Sequence, residues 1–268
     1  MKSARKISIS EITTARWTFV EDVEAYARTL GVEGIGIWRD KLAQVGAAAG
    51  AKLIREAGLG VSSLIFAGPF AGVEDFQRQI EDGRRAIDEA QQLGTRTLLV
   101  LPGPRLGITV AEGNRIVRSA LELLSHEATQ AGVTLALEPL HPVDATQFST
   151  IVTLDQALDV IDGIPGTGIM LDTWNTWWDP RIGPAIERAQ GKISCVHLAD
   201  WRHPSDNPRD RAVPGEGVAP LTDLIARVEA AGYIGWYEVE LFTDQYTPER
   251  YQELLDACVQ GTRRAFPA

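Results

Sequence analysis

The sequence predicts a (β/α)8 barrel, and three observations support this fold class. Short apolar runs rich in β-branched residues alternate eight times with longer segments whose apolar residues recur every three or four positions. The mean repeat is about 33 residues, which accommodates one strand, one helix and two loops. A doubly wound open sheet would instead carry a glycine-rich phosphate loop such as GxGxxG, and the sequence has none. We therefore expect one barrel domain over residues 1–268.

Each predicted strand is a short apolar run that is bounded by glycine, proline or polar turn residues. In chain order, the strands are predicted at Ile7–Glu11, Gly34–Trp38, Val61–Ala67, Thr97–Pro102, Val133–Leu140, Gly168–Thr173, Ile193–Asp200 and Trp236–Phe242.

A segment with helical periodicity follows each strand. Two of these segments end at Gly94 and Gly132, where glycine allows the left-handed turn that closes a helix. The helices are predicted at Val20–Leu30, Lys41–Ala57, Glu74–Leu93, Asn114–Ala131, Leu154–Ile161, Pro184–Gln190, Leu221–Ala231 and Pro248–Phe266.

The longest irregular stretches are Gly103–Gly113, His141–Thr153 and Trp201–Pro220. All three follow predicted strands. They therefore lie at the carboxyl ends of the strands, which is the face where a barrel builds its active site.

The composition argues against two classes of partner and indicates a cellular compartment. The 26 basic and 36 acidic residues give a formal net charge of −10, which disfavours nucleic acid and anionic membrane surfaces. The only cysteines, Cys195 and Cys258, form no CxxC pair, and this usage is typical of a reducing compartment. No signal peptide and no run of about 20 apolar residues is present. We therefore expect a cytoplasmic protein.

Charged residues stand at four successive predicted strand ends: Glu138, Asp172, His197 and Glu240, with spacings of 34, 25 and 43 residues. Charged groups inside a barrel are costly unless they are paired or bind a metal. Alone, each could be a loop cap, an ion-pair partner or a hydrogen-bonded core residue. Together, three carboxylates and one imidazole suit one divalent ion, Mn²⁺ or Mg²⁺ first, with Co²⁺ and Zn²⁺ as possible alternatives.

Two of these carboxylates have a second predicted role. Glu138 and Glu240, on opposite sides of a bound metal, could move protons between adjacent substrate carbons while the ion stabilises an enediolate. Glu238 has the same strand parity as Glu240, so it should also point inward and lie deeper in the barrel.

Further candidates lie in the loops that follow the strands. His141 and His203 either contact substrate or are solvated loop histidines. Trp38 is one of five tryptophans at or just after strand ends, where indole rings stack on sugar C–H surfaces or pack between loops. Tryptophans exposed in such loops could form the subunit contact of a homodimer or homotetramer.

The segments LALEPLHP, GIMLDTWNTWWDP, ISCVHLADW, DRAVPGEGVAPL and GWYEVELF resemble the sugar phosphate isomerase/epimerase family, which has the xylose-isomerase-like TIM barrel. The resemblance implies metal ligation by Glu138, Asp172, His197 and Glu240, with the two glutamates as the acid/base pair. It also implies substrate contact by Arg211. Asn175 stands where the family often has histidine, and we expect it to contact substrate, by hydrogen bonding alone because asparagine cannot titrate.

These observations together predict a metal-dependent isomerase or epimerase of a ketose or related sugar or polyol. The main alternative is a lyase on the same site, by dehydration of a keto-inositol or β-elimination from a 3-keto-glycoside. A DNA-repair endonuclease is disfavoured by the acidic charge and by the presence of only four histidines. A catalytically silent binding protein would not need all four ligand types.

Overall fold

The structure is a computed structural model that describes residues 5–203, 207 and 209–268. Within these residues, eight parallel strands close a barrel in which the first strand pairs with both the second and the last. The predicted fold class is therefore confirmed, and every predicted strand overlaps one strand of the barrel. The barrel strands are β1 (Lys6–Ser10), β2 (Gly34–Trp38), β3 (Gly60–Ala67), β4 (Thr97–Val100), β5 (Thr134–Leu137), β6 (Thr167–Asp172), β7 (Ile193–Leu198) and β10 (Trp236–Val239).

Two further strands form a small antiparallel hairpin above β7. They are β8 (Asp200–Trp201) and β9 (Arg211–Ala212), and Trp201 lies opposite Arg211. The stretch 201–220 was predicted as irregular, so the sequence did not predict this pairing of strands. Residues 204–206 and 208 of that stretch lie outside the described residues.

Helices cover the outside of the barrel, and no helix in the described residues is long and apolar enough to cross a bilayer. They are α1 (Phe19–Arg28), α2 (Arg39–Leu42), α3 (Ala47–Glu56), α4 (Phe76–Leu93), α5 (Val110–Ala131), α6 (Leu154–Ile161), α7 (Thr173–Thr176), α8 (Ile182–Arg188), α9 (Leu221–Ala230) and α10 (Tyr251–Ala265).

Two helix predictions need correction. The single helix predicted over 41–57 is split into α2 and α3, because Gly46 between them has a φ of +79°, which a continuous helix does not allow. Helix α5 begins four residues earlier than predicted. Thr109 and Glu112 form a reciprocal capping box there, and this arrangement satisfies the free N–H groups of the first turn.

The barrel interior explains how the charged strand ends are placed. A small apolar cluster inside the barrel includes Ala136, Met170 and Cys195. Because side chains alternate along a strand, the residue two positions later points the same way. Those positions are Glu138, Asp172 and His197. Their side chains therefore point into the barrel, and the apolar cluster lies one layer deeper.

Candidate metal centre and active site

The barrel brings the four predicted ligands together. Ligand atoms of Glu138, Asp172, His197 and Glu240 all lie within 4.8 Å of one another, and all four residues are buried. Asp172 ends β6 and lies beside His197 of β7 in the strand register, while the two glutamates immediately follow β5 and β10. Four neighbouring barrel strands thus deliver one cluster at the carboxyl end of the barrel.

The donor atoms in this cluster fit a divalent cation. Glu138 Oε1 and His197 Nδ1 are buried, and neither has a hydrogen-bond partner among the described residues. They are 3.5 Å apart, and the same nitrogen is 3.5 Å from Glu240 Oε2. Leaving buried polar atoms unsatisfied is costly, and a cation held between them would remove that cost. The four residues therefore form a buried group that is able to hold a divalent metal ion.

The two glutamates have opposite pKa shifts. Burial raises the pKa of Glu138 to about 7. Burial acts in the same direction on Glu240, but the positive charges of His197 and Arg211 outweigh it and lower the pKa of Glu240 to about 2. Before any cation binds, one carboxyl thus tends to keep its proton while the other is ionised. Such divergence between neighbouring carboxyls is typical of acid/base pairs.

Arg211 lies at the edge of this cluster. Its Nη1 donates to Asp172 Oδ2 at 3.0 Å and to Glu240 Oε2 at 2.7 Å. The guanidinium is sandwiched between the rings of Trp174 and Phe242, at 4.9 and 4.8 Å from their centroids. Arg211 therefore contacts two candidate ligands as well as lining the cavity, and its contact with substrate stays a prediction.

Asp200 fixes the loop that follows Arg211. Its two carboxylate oxygens accept backbone N–H groups of Trp201, Gly215, Gly217 and Ala219 at 2.8–3.0 Å. This single buried side chain therefore holds the turn after β9 against β8, and so helps to keep the Arg211 strand in place.

Asn175 bridges two parts of the site. Its Nδ2 donates to Asp172 Oδ2 at 2.9 Å, and its Oδ1 accepts the backbone N–H of His141 at 3.0 Å. Both ends of the amide are thus engaged within the protein. Asn175 also borders the cavity, and the expectation that it contacts substrate stays a prediction.

The structure does not bring His141 or His203 to the cavity. His141 Nδ1 accepts the backbone N–H of Val143, and its ring packs against Trp174 and Trp201. Burial lowers the pKa of His141 to about 4, so its imidazole stays neutral near pH 7. His203 is exposed. Neither histidine is among the described residues that line the cavity.

The tryptophans after β6 and β7 form an aromatic cluster. Trp174 is buried and stacks on Trp201 with centroids 5.0 Å apart, while Trp177 also packs on Trp201. This packing covers much of the aromatic surface that suggested a subunit contact. A dimer or tetramer therefore stays a prediction.

A cavity of about 560 Å³ opens in front of Glu138 and Glu240. Its wall is mainly apolar and includes Trp38, whose contact with substrate stays a prediction. Sequence reasoning missed Ile12, Phe66 and Arg209 in this wall. Ile12 follows β1 and Phe66 is the penultimate residue of β3, so their closeness to strand ends was the available signal. Arg209 had none, because its position depends on an ion pair with Asp144 at 2.8 Å across two loops.

Comparisons with known proteins agree with this architecture. A provisionally named hydroxypyruvate isomerase of Streptomyces coelicolor is 30% identical over 163 residues, which is 58% of this chain. A 3-dehydroshikimate dehydratase of Pseudomonas putida is 25% identical over 250 residues, which is 85% of this chain. This chain spans 56% of the length of the first relative and 37% of the second.

A crystal structure of a Sinorhizobium meliloti protein superimposes with a TM-score of 0.91 at 33% identity, and the match covers 98% of both chains. A family model described as xylose isomerase-like TIM barrel matches residues 25–260. The chain therefore belongs to the xylose isomerase-like TIM barrel family.

Proposed function

We propose that this chain is a divalent-metal-dependent isomerase or epimerase of a ketose or related sugar or polyol, with Mn²⁺ as the preferred ion. One observation carries the proposal: Glu138 and Glu240 both line the cavity and both belong to the buried group of candidate ligands. A substrate in the cavity would thus meet two carboxyls and a metal-binding site at once. Similarity to a relative named as an isomerase supports the reaction class.

The reaction needs one group to remove a carbon-bound proton and one to return a proton. Glu240, whose Oε2 accepts a hydrogen bond from Arg211 Nη1 at 2.7 Å, is able to accept a proton as a carboxylate, and Glu138, which also lines the cavity, is able to return one. A divalent ion, when bound, polarises a substrate carbonyl and stabilises the negative charge that develops on its oxygen.

The remaining residues bind and orient the substrate. Arg211 offers a guanidinium to a substrate oxygen, held in position by its stacking between two aromatic rings. Trp38 and Phe66 in the cavity wall pack on the C–H faces of a sugar and keep water from the reacting carbons.

The chemistry of the four candidate ligands is the reason for proposing manganese. Asp172, Glu138 and Glu240 supply carboxylate oxygens, and His197 supplies one imidazole nitrogen. Such a set of hard oxygens with one borderline nitrogen suits Mn²⁺ better than a thiolate-selecting ion.

A lyase is the second candidate, and the similarity to a 3-dehydroshikimate dehydratase over 85% of this chain favours it. Both reactions begin with removal of a proton next to a carbonyl. They differ only in whether a leaving group on the next carbon departs.

A solvent-deuterium exchange screen tests the proposed function. Ketoses, keto-inositols, 3-keto-glycosides and 3-dehydroshikimate are incubated with the Mn²⁺-loaded protein in D₂O and followed by NMR. We expect one class to take up deuterium next to its carbonyl only when metal is present. A labelled epimer or isomer indicates the first candidate, and a dehydrated product indicates the lyase. Absence of exchange in every class would refute both.

Replacement of Arg211 by alanine separates metal binding from substrate binding. Its positive charge lies 2.7–3.0 Å from two candidate ligand oxygens, so its loss should not weaken cation binding. We expect Arg211→Ala to keep stoichiometric Mn²⁺ and to lower kcat/KM by roughly 10- to 100-fold, the scale of a lost hydrogen bond to a charged group. Arg209→Ala is the matched control, and its kcat/KM should fall less than that of Arg211→Ala. Loss of metal from the Arg211 variant would contradict the assignment.

A further inference from the structure

Glu238 lies directly below the candidate metal centre and has no role in the reaction described above. It lies in β10, two residues before Glu240, which directly follows that strand, so both side chains point into the barrel. The strand register places it beside His197 of β7. Glu238 is fully buried, so its carboxyl needs partners within the barrel.

Three neighbours fix the position of this carboxyl. Its Oε2 accepts hydrogen bonds from the hydroxyls of Ser62 and Ser63, at 2.7 and 2.8 Å. Gly36 provides the space, because a Cβ atom there would lie only 1.8 Å from Glu238 Oε1. The two serine hydroxyls thus hold the carboxyl through Oε2 and leave Oε1 free to contact another group.

The second oxygen faces His197. Glu238 Oε1 lies 3.4 Å from His197 Nε2, and neither atom has a hydrogen-bond partner among the described residues. The opposite nitrogen of the same ring, Nδ1, faces Glu138 and Glu240, at 3.5 Å from an oxygen of each. The imidazole therefore stands between a buried carboxyl below and the candidate ligands above.

A histidine that binds a metal must present a lone pair on the binding nitrogen, so its ring proton lies on the other nitrogen. In metalloproteins that second N–H commonly donates to a carboxylate, which fixes the tautomer and the ring orientation. Glu238 Oε1, 3.4 Å from Nε2 and without another partner among the described residues, is available to accept it.

We propose that Glu238 is a positioning residue that holds His197 in the tautomer with the proton on Nε2, and so prepares Nδ1 to bind the metal ion. The inference rests on the proposed metal site, and it adds a residue that never contacts the ion. Ser62, Ser63 and Gly36 belong to the same arrangement, because they set where the Glu238 carboxyl lies.

Mn²⁺ affinity, measured by calorimetry on the whole chain, is the first readout. Glu238→Leu removes the acceptor and should weaken Mn²⁺ binding by about 10- to 100-fold, the usual effect of losing such a partner. Glu238→Gln retains one oxygen that can accept the N–H, so its Mn²⁺ affinity should fall less. Glu11→Gln is the matched control, because Glu11 is equally buried but accepts from the backbone of Trp38, and its Mn²⁺ affinity should not change.

The second readout is the histidine tautomer, observed by ¹⁵N NMR of histidine-labelled protein loaded with diamagnetic Mg²⁺ or Zn²⁺. The chain has four histidines, so the His197 signals can be assigned with His197→Ala. We expect a proton on Nε2 in the wild type and a mixture of tautomers in Glu238→Leu. If that variant does not fold, the Ser62→Ala/Ser63→Ala double variant should show a smaller change in the same direction.

The outcomes separate this inference from the proposed function. Unchanged Mn²⁺ affinity and an unchanged tautomer in the Glu238 variants would overturn the positioning role while leaving the metal site intact. A wild-type chain that binds no Mn²⁺ would overturn both.

Discussion

Glu138→Gln and Glu240→Gln are each expected to lower kcat by at least ~10²-fold, the usual scale for loss of a general acid or base. Glutamine keeps the size of the side chain and one oxygen ligand but cannot carry the proton. Substrate binding should therefore be retained, and the measurement is steady-state kinetics with the substrate class identified by deuterium exchange.

The two variants should differ in isotope exchange. If the glutamates act on opposite faces of the substrate, one variant should still exchange the α-proton of a single epimer with solvent. Glu11→Gln, which removes a buried carboxylate outside the metal-binding group, should behave as the wild type. If both active-site variants exchange both epimers at the wild-type rate, these glutamates are metal ligands only.

Asp172→Asn and His197→Ala are expected to lose metal and activity together. Each change removes one donor of the proposed set of four, and Asp172→Asn also removes the negative charge opposite Arg211. The measurement is metal content after dialysis, read beside kcat/KM. His141→Ala is the control for the histidine change, since His141 is not one of the four candidate ligands and its loss should leave the metal content unchanged. Full metal content in both ligand variants would show that the metal site is misassigned.

Sequence periodicity was sufficient to predict the barrel, because the strands are short apolar runs and the apolar residues of the helices recur every three or four positions. The alternation of side chains along a strand predicted that Glu238 and Glu240 share one face. The split between α2 and α3 was missed, since Gly46 lies in an otherwise helical pattern and only its φ of +79° shows the break. The hairpin of β8 and β9 was missed because two-residue strands carry no periodic signal.

Contacts between distant loops were beyond prediction from the sequence. The sequence did not show that the amide of Asn175 bridges Asp172 and the backbone of His141, and its contact with substrate stays a prediction. Nor did the sequence show that the ring of His141 packs against Trp201, and the alternative that His141 contacts substrate stays a prediction. These arrangements depend on how loops from β5, β6 and β7 meet, and no local pattern encodes that.

Anomalous diffraction from crystals grown with Mn²⁺ tests the central claim most directly. The account predicts a single strong manganese peak at the carboxyl end of the barrel, about 2.0–2.3 Å from ligand atoms of Glu138, Asp172, His197 and Glu240, as expected for small divalent ions. Absence of a peak there, or side chains that diverge beyond a shared coordination sphere, would contradict it.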